Sequence, residues 1–168
     1  MDDVVELRLR IRDLTRELDE SPAAEAIPEI EAKLGSLYDR LTELRRGMSA
    51  EDVVRGFCEA WSHRDIDELL SFFTDDAVYH NIPIAPVQGT EQIRNMLNVF
   101  VPGSQEISFE ILHIVSSGDV VLTERVDSFQ IGENRVVLPV AGVFELRDGK
   151  IAAWRDYFDM AAWTSQTS

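Results

Sequence analysis

One arginine and two aspartates have the types and spacing that acid–base chemistry requires. Arg125 and Asp127 lie two residues apart in a predicted strand, so both side chains point to the same face. Asp156 stands between Trp154 and Phe158 on one face of a later strand, and apolar surroundings disfavour the charged form of an acid. A guanidinium can hold two carboxyl groups at once. The set therefore predicts one ionised and one protonated carboxyl, of which one takes a proton while the other gives one.

Two neutral polar residues and a structural alternative complete this pattern. Tyr79 and Asn81 share one face of the predicted strand that contains AVYHN, and their hydrogen-bonding groups are suited to holding a water molecule. The alternative is a surface salt bridge of Arg125 with Asp127 or Asp156, which contributes only about 0–1 kcal/mol and carries no function. Spacing alone leaves both interpretations open.

Three helices are expected to precede most of the strands that carry these residues. The first begins at SAED, where Ser49 is the predicted N-cap and Asp52 completes a capping box. The second is predicted in HRDIDELLSFF, with Phe73 on its buried face, and the third in GTEQIRNMLNVFV, with Thr90 as its cap. A short strand in DDAVYHNIPI lies between the second and the third helix.

Four long strands are expected after Pro102 and Gly103. Hairpin turn signals separate the runs EISFEILHIVSS, DVVLTERVDSFQI, RVVLPVAGVFELR and KIAAWRDYFDM. Helices followed by a meander indicate an α+β domain, and long strands in a strongly curved sheet can wrap around helices and leave a cavity. Core or cavity-lining positions are expected for His113 and for a set of apolar residues: Phe73, Met96, Leu97, Phe100, Leu138, Val140, Trp154 and Phe158.

Residues 1–47 are predicted to form a separate helical hairpin, ahead of a domain at residues 48–168. Ser21 is expected to cap the second helix, with Pro22 in its first turn and Pro28 delaying the regular start. Two helices of this size bury too little to be stable alone, so the hairpin should pack on the domain, on a second copy of the chain or on a partner protein. Its apolar residues recur at intervals of three and four: Val4, Leu7, Ile11, Leu14, Leu18, Ile27, Ile30, Leu34, Leu37, Leu41 and Leu44.

The composition disfavours several classes of function. With 31 acidic and 16 basic residues the formal charge is −15, which disfavours nucleic acid as a partner. No apolar run approaches the ~20 residues of a membrane span, and the amino terminus lacks the apolar core of a signal peptide. The single cysteine, Cys58, cannot form an internal disulfide and fits a reducing cytoplasm. No HxH, HExxH or CxxC spacing occurs, so no metal is expected.

Three stretches together resemble the limonene-1,2-epoxide hydrolase family, in the right order and spacing. They are AVYHNIPIAPVQG, TERVD and GVFELRDGKIAAWRDYFDM, and the resemblance covers roughly residues 49–160. It implies a cone-shaped α+β fold, similar to nuclear transport factor 2 and ketosteroid isomerase, in which a curved sheet and helices close a deep apolar pocket. It also implies a homodimer formed through the outer face of the sheet.

The resemblance further implies a one-step addition of water to an apolar epoxide, terpenoid, cyclic or steroid-like, that gives a vicinal diol without a covalent intermediate or a cofactor. Asp156 is the implied general base, and Tyr79 and Asn81 help it to hold the attacking water. Asp127 is the implied general acid, and Arg125 bridges the two carboxyls. The alternatives are another cone-fold enzyme, an isomerase or a polyketide cyclase, and a non-catalytic binding module.

Overall fold

The computed structural model describes residues 2–20 and 22–167, which form two compact units, Met1–Gly47 and Met48–Ser168. The first unit consists of helices α1 (Asp2–Asp19) and α2 (Ile27–Arg46), which contact each other. Apolar residues of both helices are buried at the predicted spacing, among them Leu7, Ile11, Ile30 and Leu41. The expected packing or dimerisation role of this unit stays a prediction.

Helix α2 starts at Ile27, later than expected for a helix whose N-cap is residue 21. Ala26 occupies the N-cap position without a side-chain hydrogen bond, and Pro28 lies in the first turn. Proline suits this place because its ring fixes a helical φ and the missing N–H has no intrahelical partner there. The expected cap, Ser21, lies outside the described residues, and Pro22 precedes the helix rather than opening it.

The second unit begins with helices α3 (Ala50–Ala60) and α4 (Ile66–Leu70), and helix α5 (Thr90–Phe100) follows after two strands. The predicted cap of α3 is confirmed, since Ser49 Oγ accepts the N–H of Asp52 at 3.1 Å. The predicted place of Phe73 in α4 is wrong, because this helix ends at Leu70 and Phe73 begins a strand paired with the last one. Thr90 is the first residue of α5 and not its cap, because the chain already turns at Gly89, where φ is +82°.

One curved, unclosed sheet carries the second unit and confirms the predicted α+β class. Its strands are β1 (Phe73–Asn81), β2 (Val87–Gln88), β3 (Glu106–Ser117), β4 (Val120–Ile131), β5 (Asn134–Arg147) and β6 (Lys150–Tyr157). The strand order is β2-β1-β6-β5-β4-β3. All neighbours are antiparallel except β1 and β6, which run parallel and bring the chain's first strand next to its last.

A register shift in β3 changes the place of His113. The pairing with β4 shifts between Ile111 and His113, so the strict alternation that the sequence suggests is broken there. His113 is exposed and its Nδ1 lies 2.7 Å from a carboxylate oxygen of Glu124. The expectation that His113 belongs to the core or to the cavity wall is therefore wrong.

A helix that the sequence did not reveal follows the last strand. The stretch KIAAWRDYFDM does not stay extended, since β6 ends at Tyr157 and α6 spans Met160–Thr167. The side chain of Gln166 fixes this helix to the edge of β5: its Oε1 accepts the N–H of Val137 at 2.9 Å, and its Nε2 donates to the Val137 carbonyl at 3.2 Å. The amide thus replaces a strand partner, because β6 pairs with β5 only from Ala141 onward.

The core of the second unit is built around the ring of Phe57 on α3. Five aromatic rings lie 5.0–6.1 Å from it, all edge-on: Trp61, Phe72, Phe73, Phe144 and Trp154. Phe73, Phe144 and Trp154 lie on strands, whereas Trp61 and Phe72 lie just after helices α3 and α4, so Phe57 of α3 joins the two layers of the domain. None of the helices in residues 2–20 and 22–167 combines the length and apolar character that crossing a bilayer requires.

Replacing this central ring should weaken the second unit strongly. We expect Phe57→Ala to lower the free energy of unfolding by about 3–5 kcal/mol, since it empties a fully buried aromatic site. Tryptophan fluorescence during urea unfolding measures this, because Trp61, Trp154 and Trp163 all belong to the second unit. Val99→Ala is the control at an 84% exposed site and should change stability by less than about 0.5 kcal/mol. A loss below about 1 kcal/mol for Phe57→Ala would contradict this account of the core.

Candidate active site

The inner face of the sheet brings together the polar residues singled out in the sequence. Register places Asn81 of β1 beside Asp156 of β6, Asp156 beside Gly142 of β5, and Gly142 beside Thr123 of β4. The β4 residues Arg125 and Asp127 follow on the same face. The alternation of β4 agrees with its predicted faces, because every second residue from Val121 to Phe129 is buried.

Arg125 contacts both aspartates and joins them into one buried group, the acid–arginine–acid cluster of Asp127, Arg125 and Asp156. Its Nε donates to Asp127 Oδ1 at 2.8 Å and its Nη2 to Asp127 Oδ2 at 3.0 Å. The same Nη2 also donates to Asp156 Oδ2. Arg125 is 0% exposed and each aspartate 3%, so the alternative of a surface salt bridge is wrong.

Aromatic side chains enclose the cluster. The guanidinium carbon of Arg125 lies 5.0 Å from the ring centre of Phe109, 5.8 Å from that of Phe144 and 5.7 Å from that of Trp154. Cation–π attraction to these rings offsets part of the cost of burying the charge. Trp154 also donates its Nε1–H to Asp156 Oδ1 at 2.6 Å, so both oxygens of Asp156 accept hydrogen bonds.

Tyr79 and Asn81 lie beside Asp156 and are linked to each other. The Tyr79 hydroxyl donates to Asn81 Oδ1 at 3.1 Å, and the Tyr79 ring stacks on Trp154 with ring centres 4.0 Å apart. Register sets Tyr79 next to Trp154 and Asn81 next to Asp156. These two neutral groups therefore belong to the Asp156 side of the cluster, whereas Asp127 lies two strands further along the sheet.

A cavity of about 420 Å³ opens over this face and receives both carboxyls. Its polar lining residues are Tyr79, Asn81, Asp127 and Asp156, and apolar side chains form most of the remaining wall. Most of the apolar residues for which the sequence predicts a core or cavity-lining position do line this cavity, but Trp154 and Phe73 do not. The full lining is Trp61, Tyr79, Asn81, Ile84, Met96, Leu97, Val99, Phe100, Phe109, Asp127, Phe129, Leu138, Val140, Asp156, Phe158, Met160 and Trp163.

Burial controls the protonation of the cluster. It raises the pKa of Asp127 to about 7, against the lowering effect of Arg125, and it raises the pKa of Asp156 in the same way. Burial disfavours the charged form of Arg125, but the two carboxylates outweigh it and keep its pKa above the usual value. With one proton on the two acids the cluster is neutral, whereas two ionised acids would leave a net negative charge in an apolar site.

Other reactive groups nearby are kept neutral. Burial raises the pKa of the Cys58 thiol to about 12 and holds that of the Tyr79 hydroxyl well above its ordinary value. Within residues 2–20 and 22–167, no group of three or more His, Cys, Asp or Glu side chains is placed to hold a metal ion.

Sequence reasoning missed the contribution of three residues to the site: Trp154, which was expected in the core or the cavity wall but not as a partner of Asp156, Thr123 and Gly142. Trp154 precedes Asp156 by two residues on the same strand face, and this spacing could have suggested the indole hydrogen bond. Gly142 interrupts an apolar strand, which often marks a close approach of another group. Helix α6 contributes Met160 and Trp163 to the cavity wall, and its sequence lacks the regular spacing of apolar residues that would have predicted a helix.

Comparison with known proteins identifies the class to which this fold and site belong. The family model of the limonene-1,2-epoxide hydrolase catalytic domain matches residues 48–168. Epoxide hydrolase EphG of Mycobacterium tuberculosis is 37% identical over 108 residues, which are 64% of this chain and 72% of that protein. The chain therefore belongs to the limonene-1,2-epoxide hydrolase family, and the predicted resemblance is confirmed.

Solved structures agree with this assignment. The structure of an LEH-like epoxide hydrolase of M. tuberculosis matches with a TM-score of 0.63 and 34% identity, over 70% of this chain and 87% of that one. A protein described as a SnoaL-like polyketide cyclase of Shewanella denitrificans matches with a TM-score of 0.64 and 17% identity, over 70% of this chain and 96% of that one. The second likeness shows the shared cone fold alone, while the family match and EphG support epoxide hydrolase activity.

The carboxyl of Asp127 should lose its proton at a much higher pH than an ordinary aspartate, which titrates near pH 4. We expect one ¹³C-labelled aspartate carboxyl resonance to titrate at about pH 7 in the wild-type protein and to be missing in Asp127→Asn. Cys58 and Tyr79 do not titrate in that range, so neither obscures the signal. Titration of every aspartate below about pH 5 would contradict the burial effect that raises this pKa.

Proposed function

We propose that the protein adds water to an apolar epoxide and gives a vicinal diol in one general acid–base step, without a covalent intermediate. The observation that carries this proposal is the acid–arginine–acid cluster, whose two buried carboxyls both face one apolar cavity. Water is a weak nucleophile and an alkoxide is a poor leaving group at neutral pH. Simultaneous removal of a proton from water and delivery of a proton to the epoxide oxygen addresses both difficulties, each typically by about 10²–10⁴-fold.

Asp156 is the general base in this proposal. It neighbours Asn81 in the β1–β6 register, and the Tyr79 hydroxyl is bonded to Asn81, so neutral polar groups surround the place where a water could contact its carboxylate. Each carboxylate oxygen has two lone-pair directions, so Asp156 can accept from Arg125, Trp154 and a water at the same time. Among the described residues, the hydrogen-bond partner shown for Asp127 is the charged Arg125.

Asp127 is the general acid in this proposal: it faces the same cavity, and Arg125 contacts it as well as Asp156. A pKa of about 7 keeps a useful fraction of this carboxyl protonated near neutral pH. In the step itself, the water oxygen forms a bond to one epoxide carbon while the bond between that same carbon and the epoxide oxygen breaks. The proton of the water passes to Asp156, and the proton of Asp127 passes to the released oxygen.

The cavity lining supports an apolar substrate such as a terpenoid, cyclic or steroid-like epoxide. Among the described residues that line it, Asp127 and Asp156 alone carry ionisable carboxyls, and most of the others are aliphatic or aromatic. An apolar wall gains from contact with hydrocarbon and keeps bulk water from the reacting groups. The alternatives on the same fold, an isomerase or a polyketide cyclase, also use a pocket acid but have no need of a second acid joined through arginine.

A single turnover in ¹⁸O-labelled water distinguishes the one-step route. With enzyme in excess over each member of a panel of apolar epoxides, we expect label in the diol of the first turnover, because the water oxygen attacks carbon directly. A covalent route would transfer a carboxylate oxygen first and give unlabelled diol in that turnover, and mass spectrometry separates the two products. Conversion of these epoxides without any diol would favour one of the other cone-fold activities.

Variants of the two acids complete this experiment. Asp156→Asn and Asp127→Asn should each lower kcat by at least about 100-fold with an unchanged circular dichroism spectrum, since each removes one proton-transfer group. Asp148→Asn, in the exposed β5–β6 turn, is the matched control and should keep full activity. An acid whose asparagine variant stays nearly as active as the wild type is wrongly assigned.

We also propose that two copies associate through the outer face of the sheet, in a cytoplasmic location that the single cysteine favours. Val115 of β3, Leu122 of β4 and Val143 of β5 form an apolar row there by register, and Val115 and Leu122 are 62% and 46% exposed. Burying such a row between two copies would remove apolar surface from water.

Light scattering of the full chain tests this assembly. We expect a mass of twice the 19.0 kDa of one chain, and a return to a single chain mass for Leu122→Glu, which would bury a charge in the interface. Val99→Glu, on the exposed end of α5, is the control and should leave the mass unchanged. A wild-type protein of single chain mass would overturn the dimer.

A further inference from the structure

The contact between Arg125 and Asp156 spans an intervening strand. Arg125 belongs to β4 and Asp156 to β6, with β5 between them in the sheet. Neighbouring strands lie about 4.8 Å apart, so the two backbones are separated by about 10 Å. The guanidinium therefore has to cross the inner face of β5 to reach Asp156, and any side chain of β5 at that point stands in its way.

Gly142 is the residue of β5 at the crossing point, and its register partners are Thr123 on one side and Asp156 on the other. A Cβ at this position would overlap Nη1 of Arg125 and lie 2.7 Å from Thr123 Oγ1 and 3.1 Å from Asp156 Oδ1. The backbone of Gly142 is not in the left-handed region that favours glycine. Glycine is therefore required here for steric reasons and not for backbone conformation, because only a residue without a side chain leaves room for the guanidinium.

Thr123 supplies the remaining fixed partner of the guanidinium. The Nε and Nη2 atoms of Arg125 are engaged with the two aspartates, whereas Nη1 donates to Thr123 Oγ1 at 3.2 Å. Thr123 is buried, so water does not readily replace this hydroxyl. A buried N–H that loses its acceptor costs free energy. A guanidinium whose Nη1 is no longer held can also rotate away from Asp156.

We propose that Thr123 and Gly142 are positioning residues of the reaction: Gly142 leaves open the path by which Arg125 reaches Asp156, and Thr123 fixes the far nitrogen of the guanidinium. This inference rests on the proposed function above. Neither residue lines the cavity, so neither touches the substrate. Their effect should therefore fall on kcat and on the protonation of the acids, and not on KM.

The pair Thr123→Val and Thr123→Ser separates positioning from simple packing. Valine keeps the shape and removes the acceptor, while serine keeps the hydroxyl. We expect Thr123→Val to lower kcat about tenfold, the scale of one buried hydrogen bond, with KM within about twofold of the wild type. The acidic limb of the pH profile should move to higher pH, because Asp156 loses part of the cation that favours its ionised form. Thr123→Ser should restore kcat and the profile, and equal behaviour of the two variants would overturn the role of the hydroxyl.

Gly142→Ala tests the open path directly. The added methyl group should displace the guanidinium from Asp156 and lower kcat at least about 100-fold, since misplacement by about 1 Å can cost that much. Ala141→Ser, one residue away on the exposed face of the same strand, is the matched control and should be fully active. A folded Gly142→Ala protein with wild-type kcat would overturn the proposal, and if this variant does not fold, the Thr123 pair still decides.

Carboxyl titration by ¹³C NMR makes the test independent of the substrate. Thr123→Val should shift the titration of the cluster aspartates relative to the wild type, and Thr123→Ser should not. If the wild-type protein forms no diol from any epoxide, the proposed function fails, yet this titration still shows whether Thr123 fixes the guanidinium. If diol forms but both Thr123 variants titrate and turn over like the wild type, the positioning role fails and the proposed function stands.

Discussion

The site depends on one buried guanidinium that holds two carboxyls. A charge in an apolar interior is costly unless it is paired and hydrogen-bonded, and Arg125 is paired with Asp127 and Asp156 and hydrogen-bonded to Thr123. Three aromatic rings surround it, so little water can screen these contacts. The low dielectric strengthens the pairing, and it also raises the proton affinity of both acids.

The topology of the sheet explains why these residues meet. Parallel pairing of β1 with β6 inserts the last strand between the first strand and the meander, so Asn81 comes to lie beside Asp156. The antiparallel order β6-β5-β4 then leaves β5 between the two acids, and Gly142 opens that strand to the arginine. Helix α6 packs on the free edge of β5 through Gln166 and contributes wall residues, so the same strand serves both the cluster and the cavity.

Sequence reasoning succeeded where the two-residue alternation of side chains along a strand is enough to determine the structure. The alternation of β4 placed Arg125 and Asp127 on one face, and this followed from the geometry of any strand. It failed where a tertiary contact overrides the local pattern: Phe73 reads as helical but pairs with the last strand, and a register shift turns His113 outward. The contact of Arg125 with Asp156 depends on the order of the strands, which spacing along the chain does not contain.

The cluster has a property that suits it to the proposed step. In the proposed step Asp127 starts with a proton, Asp156 starts ionised and Arg125 is charged, so the three side chains sum to zero. After the reaction Asp156 carries the proton and Asp127 is ionised, and the sum is again zero. By the proposed route the buried group bears no net charge in either state, and Arg125, which contacts both carboxyls, would contact the ionised one each time. Because a net charge would be expensive in this apolar cavity, an arginine between two acids lets a proton enter on one side and leave on the other without that cost.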